Sequence, residues 1–117
     1  MKKTGRNYQI YLSDILTSML RIIEYIGDKN LMEFKQNTLV VDAVIRNFEI
    51  IGEASKNLPD DIKKKYPTIP WNKMYGLRNL ILHEYFGVDY EMIWEIVKKS
   101  LPQNITDIRN LIDTESK

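Results

Sequence analysis

With 117 residues, 44% of them apolar and 28% charged, the chain has the length and composition of one soluble domain, expected to span residues 1–117. A formal charge of +1 excludes a general basic field for nucleic acid, so any grip on RNA must be local. The lack of cysteine excludes disulfides and thiolate metal centres, and a single histidine leaves a metal site dependent on carboxylates, so neither metal nor cofactor is expected.

The chain opens on Met1-Lys2-Lys3-Thr4, which is basic but lacks the apolar stretch of a signal peptide. No apolar run approaches the roughly 18 residues that cross a membrane. A cytoplasmic protein with no membrane contact is the expectation.

From about Asn7 to Gly27, residues Leu12, Ile15, Leu16, Met19, Ile22, Ile23 and Ile26 recur at the three-and-four spacing of an amphipathic helix. Gly27 with Asp28-Lys29-Asn30 marks its stop. Leu31 to Phe34 predict a short turn of helix. A second long helix is predicted from a cap at Asn37 or Thr38 to Asn57, with Val41, Val44, Ile45, Phe48, Ile51 and Gly52 on one side. Asp42, Arg46, Glu49 and Glu53 fall within an arc of about 60° on the other side. They make either a solvated face of spaced opposite charges, or one on which Arg46 or Glu53 faces a cleft or a subunit interface.

Leu58-Pro59-Asp60-Asp61 starts a short helix, and the prolines of Tyr66-Pro67-Thr68-Ile69-Pro70 interrupt the chain. The next helix is predicted from near Trp71 to about His83, burying Met74, Leu77, Leu80 and Ile81. Trp71 and Tyr75 serve either as core or as platforms for bases. Gly87 breaks the pattern, and Asp89 can cap the helix that follows. In the last stretch Met92, Ile93, Ile96, Val97, Leu101, Ile105, Ile108 and Leu111 are apolar, and Pro102 either kinks the helix or starts a separate one after Ser100. No strand-like alternation persists. The fold class is therefore all-α, a bundle of four long helices with short extras.

The chemistry concentrates in Arg78-Asn79-Leu80-Ile81-Leu82-His83-Glu84-Tyr85, which holds the only histidine. Arginine can clamp a phosphate with two hydrogen bonds, and histidine can move a proton near pH 7. On an ideal helix Arg78 and His83 stand about 140° apart, on opposite flanks of the apolar stripe, while Asn79 and His83 share a face. Cleavage of RNA by its 2′-hydroxyl needs both a proton acceptor and a proton donor. One histidine per chain supplies both by relay, or two chains supply one each, which points to a two-fold dimer. Taken singly, the residues have plainer readings. His83 can be hydrogen-bonded at a helix end, Arg78 can pair with Glu84 or the acidic face, and Tyr85 and Phe86 can be core or interface aromatics.

Three blocks carry a resemblance. They are Asp42-Ala43-Val44-Ile45-Arg46-Asn47-Phe48-Glu49-Ile50-Ile51-Gly52-Glu53-Ala54, then Tyr66-Pro67-Thr68-Ile69-Pro70-Trp71, then Gly76-Leu77-Arg78-Asn79 through His83-Glu84-Tyr85-Phe86-Gly87-Val88-Asp89. In order and spacing they resemble the HepT-like proteins of the HEPN superfamily, across essentially the whole chain. The family's motif is an arginine, four residues, a histidine, one residue and a tyrosine, met here by Arg78, His83 and Tyr85. The resemblance implies a four-to-five-helix HEPN-type bundle with up-down helices and short connecting helices. It also implies a toxin that is a metal-independent endoribonuclease acting as a homodimer on structured RNA such as tRNA. Arg78 and His83 take the catalytic positions and Asn79 the polar place after the arginine, while the charged face of the second long helix adds Glu53 and Arg46 as candidate supporting polar groups. The implied partner is an MNT-type nucleotidyltransferase antitoxin that adenylylates Tyr85. The chain departs from the family pattern at Leu80, where a basic residue is common, and at Glu84, where a small one is. An acid there raises the histidine pKa and repels phosphate. The alternative, from another class, is a non-catalytic helical module that binds the nucleotidyltransferase and is its modification substrate.

Overall fold

The apolar stripe of the first helix decides how the other helices pack. In a computed structural model that describes residues 4–76 and 89–116, with side chains from Tyr8 onward, helix α1 spans Thr4–Ile26. Leu12, Ile15, Met19, Ile22 and Ile26 are each no more than 2% exposed. Each such side chain contributes about 1.5–3 kcal/mol by leaving water. Leu16 and Ile23, expected in the same stripe, are half-buried and exposed respectively. They stand roughly 60–80° from its centre at 100° per residue, beyond the arc that the neighbouring helices cover.

Helix α1 ends where Gly27 takes φ +50°, with its N–H donating to the Ile23 carbonyl at 2.9 Å. Helix α2 (Leu31–Gln36) opens on a reciprocal cap: Asn30 Oδ1 accepts from the Glu33 N–H, and Glu33 Oε1 accepts from the Asn30 N–H, both at 2.9 Å. Asn37 then serves two helices. Its N–H closes α2 on the Phe34 carbonyl, and its Oδ1 accepts from the Val40 N–H to open α3 (Thr38–Asn57). Helix α3 buries Val41, Val44, Phe48, Ile51 and Ala54 against α1, while Ile45, expected with them, is half-buried.

Helix α4 spans Asp60–Lys65, and residues 71–76 begin a helix labelled α5. Helix α6 spans Tyr90–Glu95, capped by Asp89 Oδ1, which accepts from the N–H groups of Glu91 and Met92. Helix α7 spans Leu101–Glu115. Among the described residues every regular element is helical and none is a strand, so the expected all-α bundle is the fold.

Contacts at the helix ends set the directions. Tyr8 near the start of α1 meets Tyr66 beyond α4 and Glu115 at the end of α7 on one carboxylate. At the other end Phe34 of α2 meets Tyr90 of α6 edge-on and Trp94 at a tilt, with ring centroids 6.5 and 5.4 Å away, and Lys35 pairs with Glu91 at 3.2 Å. Helices α3 and α6–α7 therefore both run opposite to α1, in the up-down order.

Between α6 and α7 the helix does not break at Pro102 as one expectation had it. It continues through a π-helical turn, Ile96–Ser100, in which the Leu101 N–H reaches back five residues to the Ile96 carbonyl. Two constraints favour the wider turn. Pro102 has no N–H to offer the carbonyl four residues before it. Ile93, Val97, Leu101 and Ile105 are all buried at successive four-residue steps, each of which overruns a regular α-turn by about 40°. Three such steps would carry Ile105 about 120° off the core-facing line in a regular helix. The π turn takes up that drift.

Glu115 closes the bundle. Its carboxylate accepts from the Tyr8 hydroxyl at 3.0 Å and the Tyr66 hydroxyl at 2.5 Å, and meets the Lys65 ammonium at 2.8 Å. The lysine and the two phenols, outweighing partial burial, pull its pKa down to about 2. A carboxylate whose folded pKa lies below its ordinary value near 4.5 stabilises the fold above that value, and the stabilisation is lost as pH falls from there to about 2. Replacing Glu115 by Gln should lower stability by about 1–2 kcal/mol at pH 7. In thermal melts, the Tm gap between the two proteins should close as pH falls through that window; a gap independent of pH would remove the charge from the explanation.

Candidate functional site

The outward face of α3 and one flank of α1 enclose a groove of about 400 Å3. Helix α3 supplies Arg46, Glu49, Glu53 and Asn57, with Ile50 and Ala54 beneath them, and α1 supplies Tyr11 and Asp14. The two α3 residues expected at a site from sequence, Arg46 and Glu53, thus stand in one cleft. Asp42, grouped with them by helical phase, does not line it.

Arg46 and Glu49 are 3.9 Å apart, with side-chain exposures of 73% and 27%. At that distance and exposure the pair holds Arg46 only weakly, so its guanidinium can turn to an anionic ligand. Among the described residues the lining holds Asp14, Glu49 and Glu53 with one arginine.

Arg78, Asn79, His83 and Tyr85 lie outside the described residues, as do Leu80, Glu84 and the rest of the apolar stripe after Met74. The flanks of that segment are described. Upstream, Met74 is buried with its sulfur 3.4 Å from Ser55 Oγ, whose single proton is directed mainly to the Ile51 carbonyl at 2.8 Å. Lys56 Nζ lies 5.7 Å from the centre of the Tyr75 ring. Helix α5 is thereby fastened to the C-terminal half of α3, the half that carries Glu53 and Asn57. Trp71 is 7% exposed, and its indole N–H donates to the Tyr66 carbonyl at 3.1 Å. It is a core residue, with its ring unavailable for stacking on a base. Downstream, Asp89 starts α6, which Phe34 anchors.

Among the described residues no three or more histidine, cysteine, aspartate or glutamate side chains gather closely enough to hold a metal ion. None of the described helices is long and apolar enough to cross a membrane. Sequence reasoning did not single out Tyr11, Asp14 or Asn57. Each lies on a polar flank of its own helix and becomes part of a site only through the contact between α1 and α3.

Residues 15–111 match the family model described as Ribonuclease HepT-like. Two proteins of Methanocaldococcus jannaschii that are provisionally named RNases are similar to the chain. One is 45% identical over 84% of this chain and 90% of its own length, the other 42% identical over 96% and 97%. A Thermococcus cleftensis protein named as a probable ribonuclease HepT is 41% identical over 83% of this chain and 88% of its own length. No solved structure matches the chain. The match across most of the chain, and identities of this size over nearly full-length relatives, carry one conclusion: the chain belongs to the Ribonuclease HepT-like family.

Proposed function

We propose that this single-domain chain is the toxin of a toxin–antitoxin pair, a cytoplasmic, metal-independent endoribonuclease that works as a homodimer on structured RNA such as tRNA. Membership of a ribonuclease family supports the class of activity. The observation that carries the mechanism is the ungapped order Arg78, four residues, His83, one residue, Tyr85.

In this reading the RNA 2′-hydroxyl attacks the adjacent phosphorus, the bond from phosphorus to the 5′-oxygen breaks, and a 2′,3′-cyclic phosphate remains. His83 of one protomer takes the 2′-proton, and the second copy, protonated, gives one to the leaving 5′-oxygen. Arg78 balances the negative charge that builds on the phosphoryl oxygens. Asn79, Arg46 and Glu53 are supporting polar groups that orient substrate hydroxyls and amides rather than reacting. A nucleotidyltransferase antitoxin transfers AMP from ATP to the Tyr85 hydroxyl, releasing pyrophosphate. The added phosphate, two residues from His83, repels and occludes the RNA backbone.

The Asp14 and Glu49 carboxylates that line the α1–α3 groove, together with Glu84, support a second reading. In that reading the chain is a helical module that docks the nucleotidyltransferase and is modified by it without cleaving RNA.

Purified protein assayed on RNA with a chelator present separates the two. His83→Ala and Arg78→Ala should each lower cleavage at least 100-fold, and equal cleavage by wild type and His83→Ala would remove the catalytic assignment. Stoichiometric adenylylation of Tyr85, followed by mass spectrometry, should abolish cleavage. Persistent cleavage by fully modified protein would count against the regulatory role. Arg46→Ala should change folding stability by less than about 0.5 kcal/mol, so a tenfold fall in its RNA turnover would report substrate contact, and unchanged turnover would strike Arg46 from the site.

A further inference from the structure

A second groove, of about 620 Å3, lies between α4 and the first turn of α5. Helix α4 contributes Asp60, Lys63 and Lys64, the connection contributes Pro67, Ile69 and Pro70, and α5 contributes Trp71, Asn72 and Lys73. Three lysines face one aspartate here, in a chain whose formal charge is only +1. The clustering is thus a local feature.

We propose that this groove seats the sugar–phosphate backbone of the RNA substrate, an inference that rests on the ribonuclease reading above. Lysines at the C-terminal end of α4 would by themselves be ordinary partners of the helix dipole. Their commitments differ, however. Lys65 is taken by Glu115 at 2.8 Å, and Lys63 stands 3.9 Å from Asp60. Lys64 has no carboxylate within ion-pair distance among the described residues. Neither has Lys73, which comes from a different helix and belongs to no dipole terminus of α4. Two uncommitted ammonium groups thus line one channel from separate elements, each a strong donor for a phosphate oxygen.

The walls suit a backbone rather than a base. Pro67 and Pro70 fix the connection. The floor, Ile69 and Trp71, is buried, and the Trp71 indole N–H is already spent on Tyr66. With no free ring to stack a base, the groove offers charge and one amide, Asn72, able to meet a 2′-hydroxyl. Contacts of this kind position RNA without reading its sequence. The placement also serves the reaction: Lys73 precedes Arg78 by five residues, and five residues of chain span at most about 18 Å. A strand seated in the groove is therefore held by a stretch of chain that leads directly into the motif.

The test is binding of a fluorescent 2′-O-methyl RNA, which cannot be cut by 2′-oxygen attack, measured by anisotropy over a range of salt concentrations. The Lys64→Gln/Lys73→Gln double variant should bind about tenfold more weakly near 0.15 M salt. The slope of log K against log salt should fall by about 1.4, the value for two phosphate contacts on a single strand. Arg21→Gln/Arg109→Gln removes two exposed charges elsewhere and should leave affinity and slope within twofold of wild type. Wild-type affinity in the lysine variant, or equal losses in both variants, overturns the groove while wild-type cleavage of ordinary RNA still upholds the ribonuclease reading. If the wild-type chain neither binds nor cleaves RNA, both fall together.

Discussion

The burial of one stripe of α1 between α3 and α7 is the constraint from which the remaining arrangement follows. Ile15 and Ile22 are fully buried, and they leave α1 with only its flanks exposed. One flank, with Tyr11 and Asp14, becomes a wall of the acidic groove. The same packing brings the start of α1 beside the end of α7, where Glu115 ties Tyr8, Tyr66 and Lys65 into one cluster. Polar sites on this protein are consequences of which apolar side chains had to leave water.

Charge is distributed with as much order as apolar surface. A chain with almost no net charge carries an acid-lined groove along α1 and α3 and a lysine-lined one at α4 and α5. The helix that leads into the Arg78–His83 segment is pinned to α3 through Met74 and Tyr75 and borders the basic groove through Lys73. Opposite charges are thus gathered along separate helix pairs rather than spread evenly over the described surface.

Local sequence carried much of the fold. The bounds of α3, the Asn37 and Asp89 caps, the Gly27 stop and the all-helical class follow from spacing and cap chemistry within a few residues. Membership of the family was legible in the same way, because Arg78, His83 and Tyr85 fall in an unbroken motif. What escaped depends on partners distant in the chain. The Glu115 cluster joins residues 107 positions apart. Lys64 and Lys73 are separated by two prolines and give no joint signal until α4 and α5 are set side by side. The π turn escaped for another reason: apolar residues four apart look like ordinary amphipathic helix, and only the accumulated rotation betrays the extra residue.

That surplus residue has a consequence for how the chain tolerates change in length. The halves of the helix on either side of Ile96 take their phase from different neighbours, α6 from the rings around Phe34 and α7 from α1. Deleting one residue between Ile96 and Ser100 would restore an even ladder of hydrogen bonds and leave Ile93 and Leu101 seven residues apart, within about 20° of one line in a regular helix. Both would still face the core, whereas one more inserted residue would swing the halves apart by about 100°. The turn therefore tolerates the loss of a residue but not the gain of one, an asymmetry set by geometry that nothing in its exposed lysines and serine would suggest.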